Sequence, residues 1–257
     1  MKKLLMAMTA MAALSSAAVA ADIPVRAPAY RAPAAVPTFS WTGCYIGAGG
    51  GYGMWNQENQ TVSAVTGAAL DVVTTNGGRG WFGTAQVGCD YQFAGSWVIG
   101  AFGDWDFGRL RGQMTSTALG INGDEDLKWS WAAGGRIGYV IMPQLLGYVS
   151  GGYTQARFDG VSFVNSSTGL ATLFSVDERT YDGWFLGSGY EYGLNFLFPG
   201  LFWKTEYRFA SYDRNNDRSV VFFGGVPTAG PAAAIDSRKW VQTIRSQLVW
   251  RFNFGGF

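Results

Sequence analysis

Histidine is absent from the 257 residues of this chain. Ser-His-Asp and Cys-His catalytic arrangements, histidine-bearing zinc sites and histidine-ligated haem all need that side chain, so they are excluded. Charged residues are also few, at 14%, and the formal net charge is only +1, which gives no basic surface for nucleic acid. We therefore expect a protein that is not an enzyme and that holds no metal or cofactor.

Long apolar runs are also missing. After residue 21 no stretch reaches the roughly 18 consecutive apolar residues of a membrane-spanning helix. The chain is instead rich in glycine and aromatic residues, with 37 glycines, 18 phenylalanines, 12 tyrosines and 11 tryptophans. These residues suit strands and tight turns, whereas a soluble β-sandwich would normally carry more charge.

The first forty residues have two distinct compositions. Lys2 and Lys3 precede an apolar segment that ends in the small-x-small sequence Ala18-Val19-Ala20, which is typical of a secretory signal peptide. The next residues are rich in proline, which favours an extended, solvated segment. We predict a signal peptide over 1–20, a periplasmic tether over 21–40 and one folded domain over 41–257. A disordered tail without a role remains the alternative for the tether.

The segment 240–257 alternates between two kinds of side chain. One face carries Ile244, Leu248, Trp250, Phe252 and Phe254, and the other carries Thr243, Arg245, Gln247, Arg251 and Asn253. A period of two indicates a β-strand with unlike faces. At about 15 residues it exceeds the usual ~5–6 of a soluble strand, whereas a membrane-spanning strand needs about 9–11. This pattern predicts the closing strand of an outer-membrane barrel.

Seven further segments repeat the pattern, at 41–55, 80–93, 97–107, 128–140, 145–158, 180–193 and 201–212. The connections alternate between long (56–79, 108–127, 159–179, 213–239) and short (94–96, 142–144, 195–200). Such alternation is typical of an all-β, eight-stranded, antiparallel up-and-down transmembrane barrel with four long outer loops and short periplasmic turns. A lipocalin-like soluble barrel also has eight strands, but its lumen is apolar, and here the charges lie opposite the tryptophans.

The polar faces of these strands place ten ionisable side chains in the predicted lumen. They are Asp90, Asp104, Asp106, Glu191, Glu206, Arg136, Lys204, Arg208, Arg245 and Arg251. An eight-stranded barrel is just wide enough for its own side chains, and buried charge is tolerated only when it is paired. Because acids and bases are equal in number, we predict a cross-barrel ion network that fills the lumen.

The only two cysteines, Cys44 and Cys89, fall on the same face of adjacent predicted strands, near the periplasmic end. An exported chain enters a compartment that permits disulfides, so we predict a bond between them, with two free thiols as the alternative. The nearby glycine-rich run 47–51 does not fit G-x-G-x-x-G. We interpret these glycines as relief of crowding beside aromatic side chains on a neighbouring strand.

Four motifs resemble one known family. They are Phe39-Ser40-Trp41-Thr42-Gly43-Cys44-Tyr45-Ile46-Gly47, Gln86-Val87-Gly88-Cys89-Asp90-Tyr91-Gln92, Gly187-Ser188-Gly189-Tyr190-Glu191-Tyr192 and Glu206-Tyr207-Arg208. Together they resemble the small outer-membrane β-barrel proteins of alphaproteobacteria, the porin-like surface-antigen group. The resemblance covers nearly all of the mature chain and implies a location in the bacterial outer membrane.

The resemblance also implies a structural barrel that maintains the envelope and displays surface loops, in contact with outer-membrane lipid and lipopolysaccharide. Its C-terminal strand is the expected contact for the barrel-assembly machinery. In parts of the family an Ala-Asp terminus is joined to peptidoglycan, which makes Ala21 and Asp22 the candidate attachment residues here. A narrow porin-like solute channel is the alternative function.

Overall fold

The structure is a computed structural model that describes residues 40–63, 65–117, 119–212, 219–220, 222–223, 226–227 and 233–252. The predicted signal peptide, Ala21, Asp22 and the last five residues lie outside this part of the chain. Among these residues there is no helical segment with the length and hydropathy of a transmembrane helix.

Thirteen strands follow one another in the described part of the chain. Their bounds are β1 Gly43–Ser63, β2 Thr74–Phe93, β3 Trp97–Ser116, β4 Ile121–Met142, β5 Leu145–Phe158, β6 Val161–Asn165, β7 Ala171–Val176, β8 Arg179–Gly193, β9 Leu201–Tyr212, β10 Ser219–Val220, β11 Phe222–Phe223, β12 Val226–Pro227 and β13 Ala233–Phe252.

Eight of these strands close into an antiparallel ring in the order β1-β2-β3-β4-β5-β8-β9-β13. The ring closes because β13 pairs with β1, from Cys44 opposite Phe252 to Ser63 opposite Ala233. The other five strands are short additions at the long-loop end: β6 pairs with β4, β7 with β6 and β11, β12 with β11, and β10 with β13. The predicted eight-stranded up-and-down barrel is confirmed.

The strands run further into the long connections than predicted. β1 continues to Ser63 and β3 to Ser116, while β4 begins at Ile121 and β13 at Ala233. Ladder hydrogen bonds do not need an apolar face, so pairing continues beyond the apolar belt as long as neighbouring strands stay adjacent. The connection between β3 and β4 is consequently a short turn and not a loop of twenty residues.

The two faces of the wall differ as predicted, but the interior is not only ionic. Large apolar side chains such as Trp81, Ile99 and Leu186 point outward and are exposed. Inside, aromatic and aliphatic side chains pack into a large cluster together with the charges, and a second, smaller cluster includes Met114 and Phe163. The large residues of the first cluster are Trp41, Tyr45, Trp55, Phe82, Phe102, Phe158, Tyr181, Phe185, Phe202 and Tyr212. Rings fill the space that salt bridges leave, since interiors pack to near-crystalline density.

Strand β5, whose sequence does not sort cleanly, has regular faces in the structure. Tyr148 and Thr154 are buried inside, while Val149 and Tyr153 are exposed outside. The Tyr148 hydroxyl donates a 2.9 Å hydrogen bond to Glu206 on β9, two strands along the ring, which satisfies its polar end. A tyrosine has one apolar body and one polar tip, so hydropathy alone does not assign it to either face.

Glycines allow the interior rings to lie against the wall. A Cβ placed on Gly51 would come within 2.6 Å of the Phe82 ring, which lies directly opposite on β2. A Cβ on Gly189 would come within 2.7 Å of the Tyr148 hydroxyl. At both positions a side chain would displace an interior ring. Within the glycine-rich run this agrees with the interpretation at Gly51 only, since Gly47 and Gly49 face the Val249 side chain and the Ser246 backbone.

Cys44 and Cys89 form a disulfide, as predicted. They are direct partners in the β1–β2 ladder, with Cα atoms 3.9 Å apart, on the outward face near the short-turn end. The bond closes a loop with a sequence separation of 45 and joins the first two strands of the ring.

Replacing both cysteines (Cys44→Ser with Cys89→Ser) should lower the free energy of unfolding by roughly 2–4 kcal/mol, because the unfolded chain regains the entropy of an open loop. The measurement is a urea titration in detergent micelles that follows the fraction migrating as folded protein on an unheated gel. Equal midpoints, together with ready alkylation of both thiols in unreduced wild type, would contradict the bond.

Candidate functional site

The ten ionisable side chains predicted for the lumen all lie inside the barrel, and none is more than 7% exposed. They come from β2, β3, β4, β8, β9 and β13, so residues distant in sequence meet across the bore. Each belongs to one of two groups at different heights. The groups hold Asp90, Arg136, Glu191 and Arg251, and then Asp104, Asp106, Lys204, Glu206, Arg208 and Arg245.

The first group, here called the turn-end square, lies near the short turns. Arg136 contacts Asp90 through Nε (2.8 Å) and Nη2, and contacts Glu191 through Nη1 (3.1 Å). Arg251 contacts Glu191 through Nε (2.8 Å) and Asp90 through Nη1 (2.8 Å). Each arginine thus bonds both carboxylates, and charges of opposite sign alternate around the square. Arg251 also donates to the carbonyl of Trp41 at 3.2 Å, where the chain enters the barrel.

The second group, the mid-barrel cluster, contains three acids and three bases. Arg208 holds Asp104 with two parallel bonds of 2.9 and 2.7 Å and donates from Nε to Glu206 at 2.9 Å. Arg245 joins Asp106 at 2.9 Å and Asp104 at 3.3 Å. Lys204 lies 3.8 Å from Glu206 and donates to the Gln86 amide oxygen at 2.5 Å. Planar arginine forks suit such two-bonded recognition of carboxylates.

Aromatic rings enclose these cations. The Arg136 guanidinium carbon lies 4.7 Å from the centre of the Tyr45 ring, and that of Arg251 lies 4.9 Å from the same ring. The Arg208 guanidinium lies 4.3 Å from the Phe185 ring. A ring face attracts a nearby cation, and the attraction strengthens when water is excluded. The rings therefore fill the bore and stabilise its charges at the same time.

A third ionic group, the loop-end pair, was not predicted from the sequence. Lys239 on β13 bonds Glu125 on β4 at 2.6 Å and also the amide oxygen of Gln57 on β1. Lys239 fell one residue outside the predicted closing strand. Glu125 fell in a predicted loop, on the phase that points outward lower in β4. A β-bulge at Lys128 of β4, opposite Gly108 and Arg109, exchanges the inward and outward faces of the strand, so Glu125 points inward.

Charged pairs also occur on the exposed wall near the long-loop end. Lys128 bonds Asp159, and Arg157 bonds Glu178 through Nη2 (2.5 Å) and Nε (3.3 Å). The hydrogen bonds from Arg157 hold the pKa of Glu178 below its usual value. Among the described residues, no group of three or more acidic or cysteine side chains is arranged to hold a metal ion.

No family model matches the chain. It is 31% identical over 228 residues to the 31 kDa outer-membrane immunogenic protein of Brucella melitensis, and the alignment covers 84% of this chain and 89% of the relative. The chain belongs to the outer-membrane immunogenic protein family. Another member, the 25 kDa protein of Brucella abortus, is 24% identical over 232 residues, covering 84% of this chain and 87% of that member. The family assignment places the chain in the bacterial outer membrane, in contact with membrane lipid and lipopolysaccharide.

Among solved structures, the outer-membrane protein OprG of Pseudomonas aeruginosa superposes with a TM-score of 0.54 at 13% sequence identity. The match covers 82% of this chain and 97% of OprG. At 13% identity this similarity supports the barrel fold of this chain and says nothing of its chemistry.

Removing one member of the turn-end square should destabilise the barrel. Arg136→Met leaves two buried carboxylates with one arginine, so the free energy of unfolding should fall by about 3–5 kcal/mol. Adding Asp90→Leu restores equal charge and should recover much of the loss. The measurement is a urea titration monitored by gel mobility. The control, Arg238→Met, removes an exposed arginine from the outer wall and should cost under about 1 kcal/mol. If Arg136→Met behaved like this control, the square would not stabilise the barrel.

Proposed function

We propose that this protein is a non-enzymatic, structural barrel that stabilises the outer membrane and displays its long-loop end at the cell surface. The observation that carries the proposal is the network of ion pairs across the bore. Asp104 on β3, for example, is bonded to Arg208 on β9 and to Arg245 on β13. Such bonds connect opposite sides of the ring and resist its deformation. The relatives are named as immunogenic, which supports display of the loop end at the surface.

The same network argues for a plug over a channel. The bore is crossed at three heights by the turn-end square, the mid-barrel cluster and the loop-end pair. A passing ion would have to replace salt bridges whose members are already desolvated, and an unpaired buried charge is strongly unfavourable. The alternative, a narrow solute channel, needs these pairs to separate.

Single-channel recording of refolded protein in planar bilayers distinguishes the two functions. We expect no reproducible conductance steps from wild type or from Arg238→Gln, which alters only the outer wall. The combined change Phe102→Ala, Phe185→Ala and Arg208→Ala removes the mid-barrel filling and should produce steps. Reproducible steps from wild type that are abolished by Arg136→Gln or Glu206→Gln would contradict the plug and favour the channel.

A tether to peptidoglycan is the second part of the proposed function. β1 begins at the short-turn end, where Trp41 is buried, and this is the end proposed to face the periplasm. The proline-rich composition of residues 21–40 suits a spacer that reaches the wall. Ala21 and Asp22 would then present the terminus for covalent attachment.

Digestion of isolated cell-wall sacculi tests this tether. We expect a muropeptide on the amino group of Ala21, detected by mass spectrometry of the released N-terminal peptide. A barrel protein that is not wall-linked, recovered from the same membranes, serves as the control for trapped material. A mature terminus that maps exclusively to Asp22 would remove the basis of the tether.

A further inference from the structure

Three arginines form an exposed group on the outer wall at the long-loop end. They are Arg79 on β2 and Arg109 and Arg111 on β3. Arg79 and Arg111 are direct partners in the β2–β3 ladder. Like charges directly opposite each other weaken a strand pair. An anion bound between them would turn this repulsion into attraction.

These arginines lack the partners that other cations on this wall have. Within the residues that the structure describes, no carboxylate lies within ion-pair distance of the three guanidinium groups. Lys128 and Arg157, at a similar height on β4 and β5, bond Asp159 and Glu178. The arginine group is therefore a patch of positive charge that no described carboxylate neutralises.

The group lies immediately beyond a band of outward aromatic side chains. Trp81 on β2 and Trp105 and Phe107 on β3 are all exposed on the same face. Aromatic girdles mark the interface between hydrocarbon and headgroups. Arg79 and Arg109 lie two residues further from the membrane centre than Trp81 and Phe107, or about 7 Å along the strand. That distance matches the level of lipid headgroups, which extend roughly 5–8 Å beyond the hydrocarbon.

A depression of about 470 Å³ adjoins two of the arginines. It is lined by Arg109, Arg111, Gly112, Gln113, Asp124 and Asp126. The arginines line the β3 side and the carboxylates line the β4 side. Asp126 is the ladder partner of Arg111, but the two side chains do not form an ion pair in the structure. The site therefore offers hydrogen-bond donors on one side and strong acceptors on the other.

We propose that this site binds the phosphorylated sugar headgroup of an outer-leaflet glycolipid. The phosphate accepts hydrogen bonds from Arg79, Arg109 and Arg111, and sugar hydroxyls donate to Asp124 and Asp126. An arginine fork and a phosphate match in geometry and in charge. A simple phosphate would leave both aspartates facing an anion, whereas a phosphosugar uses both sides of the site. The proposal rests on the orientation given by the proposed function, with the long-loop end outside.

Lipid retention in nanodiscs tests the site. The probes are synthetic bisphosphorylated lipid A, its dephosphorylated form and phosphatidylglycerol, and native mass spectrometry measures the lipid that stays bound. Arg109→Gln with Arg111→Gln should weaken retention of bisphosphorylated lipid A by about tenfold or more, since hydrogen bonds to charged groups are lost. The control is Arg157→Gln with Arg238→Gln, which removes two other arginines from the outer wall and should change nothing. Equal retention by both double variants would overturn the proposal.

The aspartates separate a phosphosugar from other anions. Asp124→Asn with Asp126→Asn should weaken retention of lipid A, while retention of phosphatidylglycerol should stay equal or become stronger because two negative charges are removed. Tighter or unchanged retention of lipid A would overturn the sugar contact, because the carboxylates would then act only by repulsion. Displacement of lipid A by millimolar inorganic phosphate would likewise overturn it, since the site would recognise phosphate alone.

A cysteine-labelling experiment determines the orientation of the barrel and so distinguishes failure of the proposed site from failure of the proposed function. Both native cysteines are in the disulfide, so one introduced thiol can be labelled selectively. Ser167→Cys, exposed between β6 and β7, should react with an impermeant maleimide on intact cells. Gln144→Cys, in the short turn between β4 and β5, should react only after the outer membrane is opened. The reverse pattern would overturn the orientation and the site together, whereas the expected pattern without arginine-dependent lipid binding would overturn the site alone.

Discussion

Closure of eight strands into a ring determines which side chains of this protein meet inside it. Pairing of β13 with β1 directs every second side chain of every strand into a bore that has room for side chains and little else. Charges there are removed from water, so each must meet an opposite charge. The alternating arrangement of Asp90, Arg136, Glu191 and Arg251 satisfies this requirement within four side chains.

The ionic and aromatic parts of the interior depend on each other. Guanidinium planes lie against the rings of Tyr45 and Phe185, and the rings lie against wall positions that lack side chains, such as Gly51 beneath Phe82. A larger residue at such a glycine would move a ring, and a moved ring would disturb the salt bridge beside it. Outside, the wall needs only an apolar surface, so bulky and small residues alternate there without comparable constraint.

Much of this arrangement follows from the sequence because a strand repeats every two residues. That period gave the number of strands, the charged face that carries Arg136 and Glu206, and the shared face of Cys44 and Cys89. It did not give the loop-end pair, since a bulge near Lys128 exchanges the two faces of β4, and the residue alternation does not show where a bulge occurs. Interior rings such as Phe102 and Phe185 were not predicted to fill the bore either. An apolar side chain fits either face of such a wall, and only the shape of the closed bore selects it.

The closed bore holds the interior arginines in dry, paired positions. Hydrogen exchange of arginine Nε–H groups, measured by NMR on isotopically labelled protein in lipid nanodiscs, reports whether they are dry and paired. Arg136, Arg208 and Arg251 should give separate resonances that exchange slowly at neutral pH, while the exposed Arg238 should exchange too fast to be seen. Equally fast exchange at all four would show a bore open to water, in which the interior arginines are neither dry nor paired.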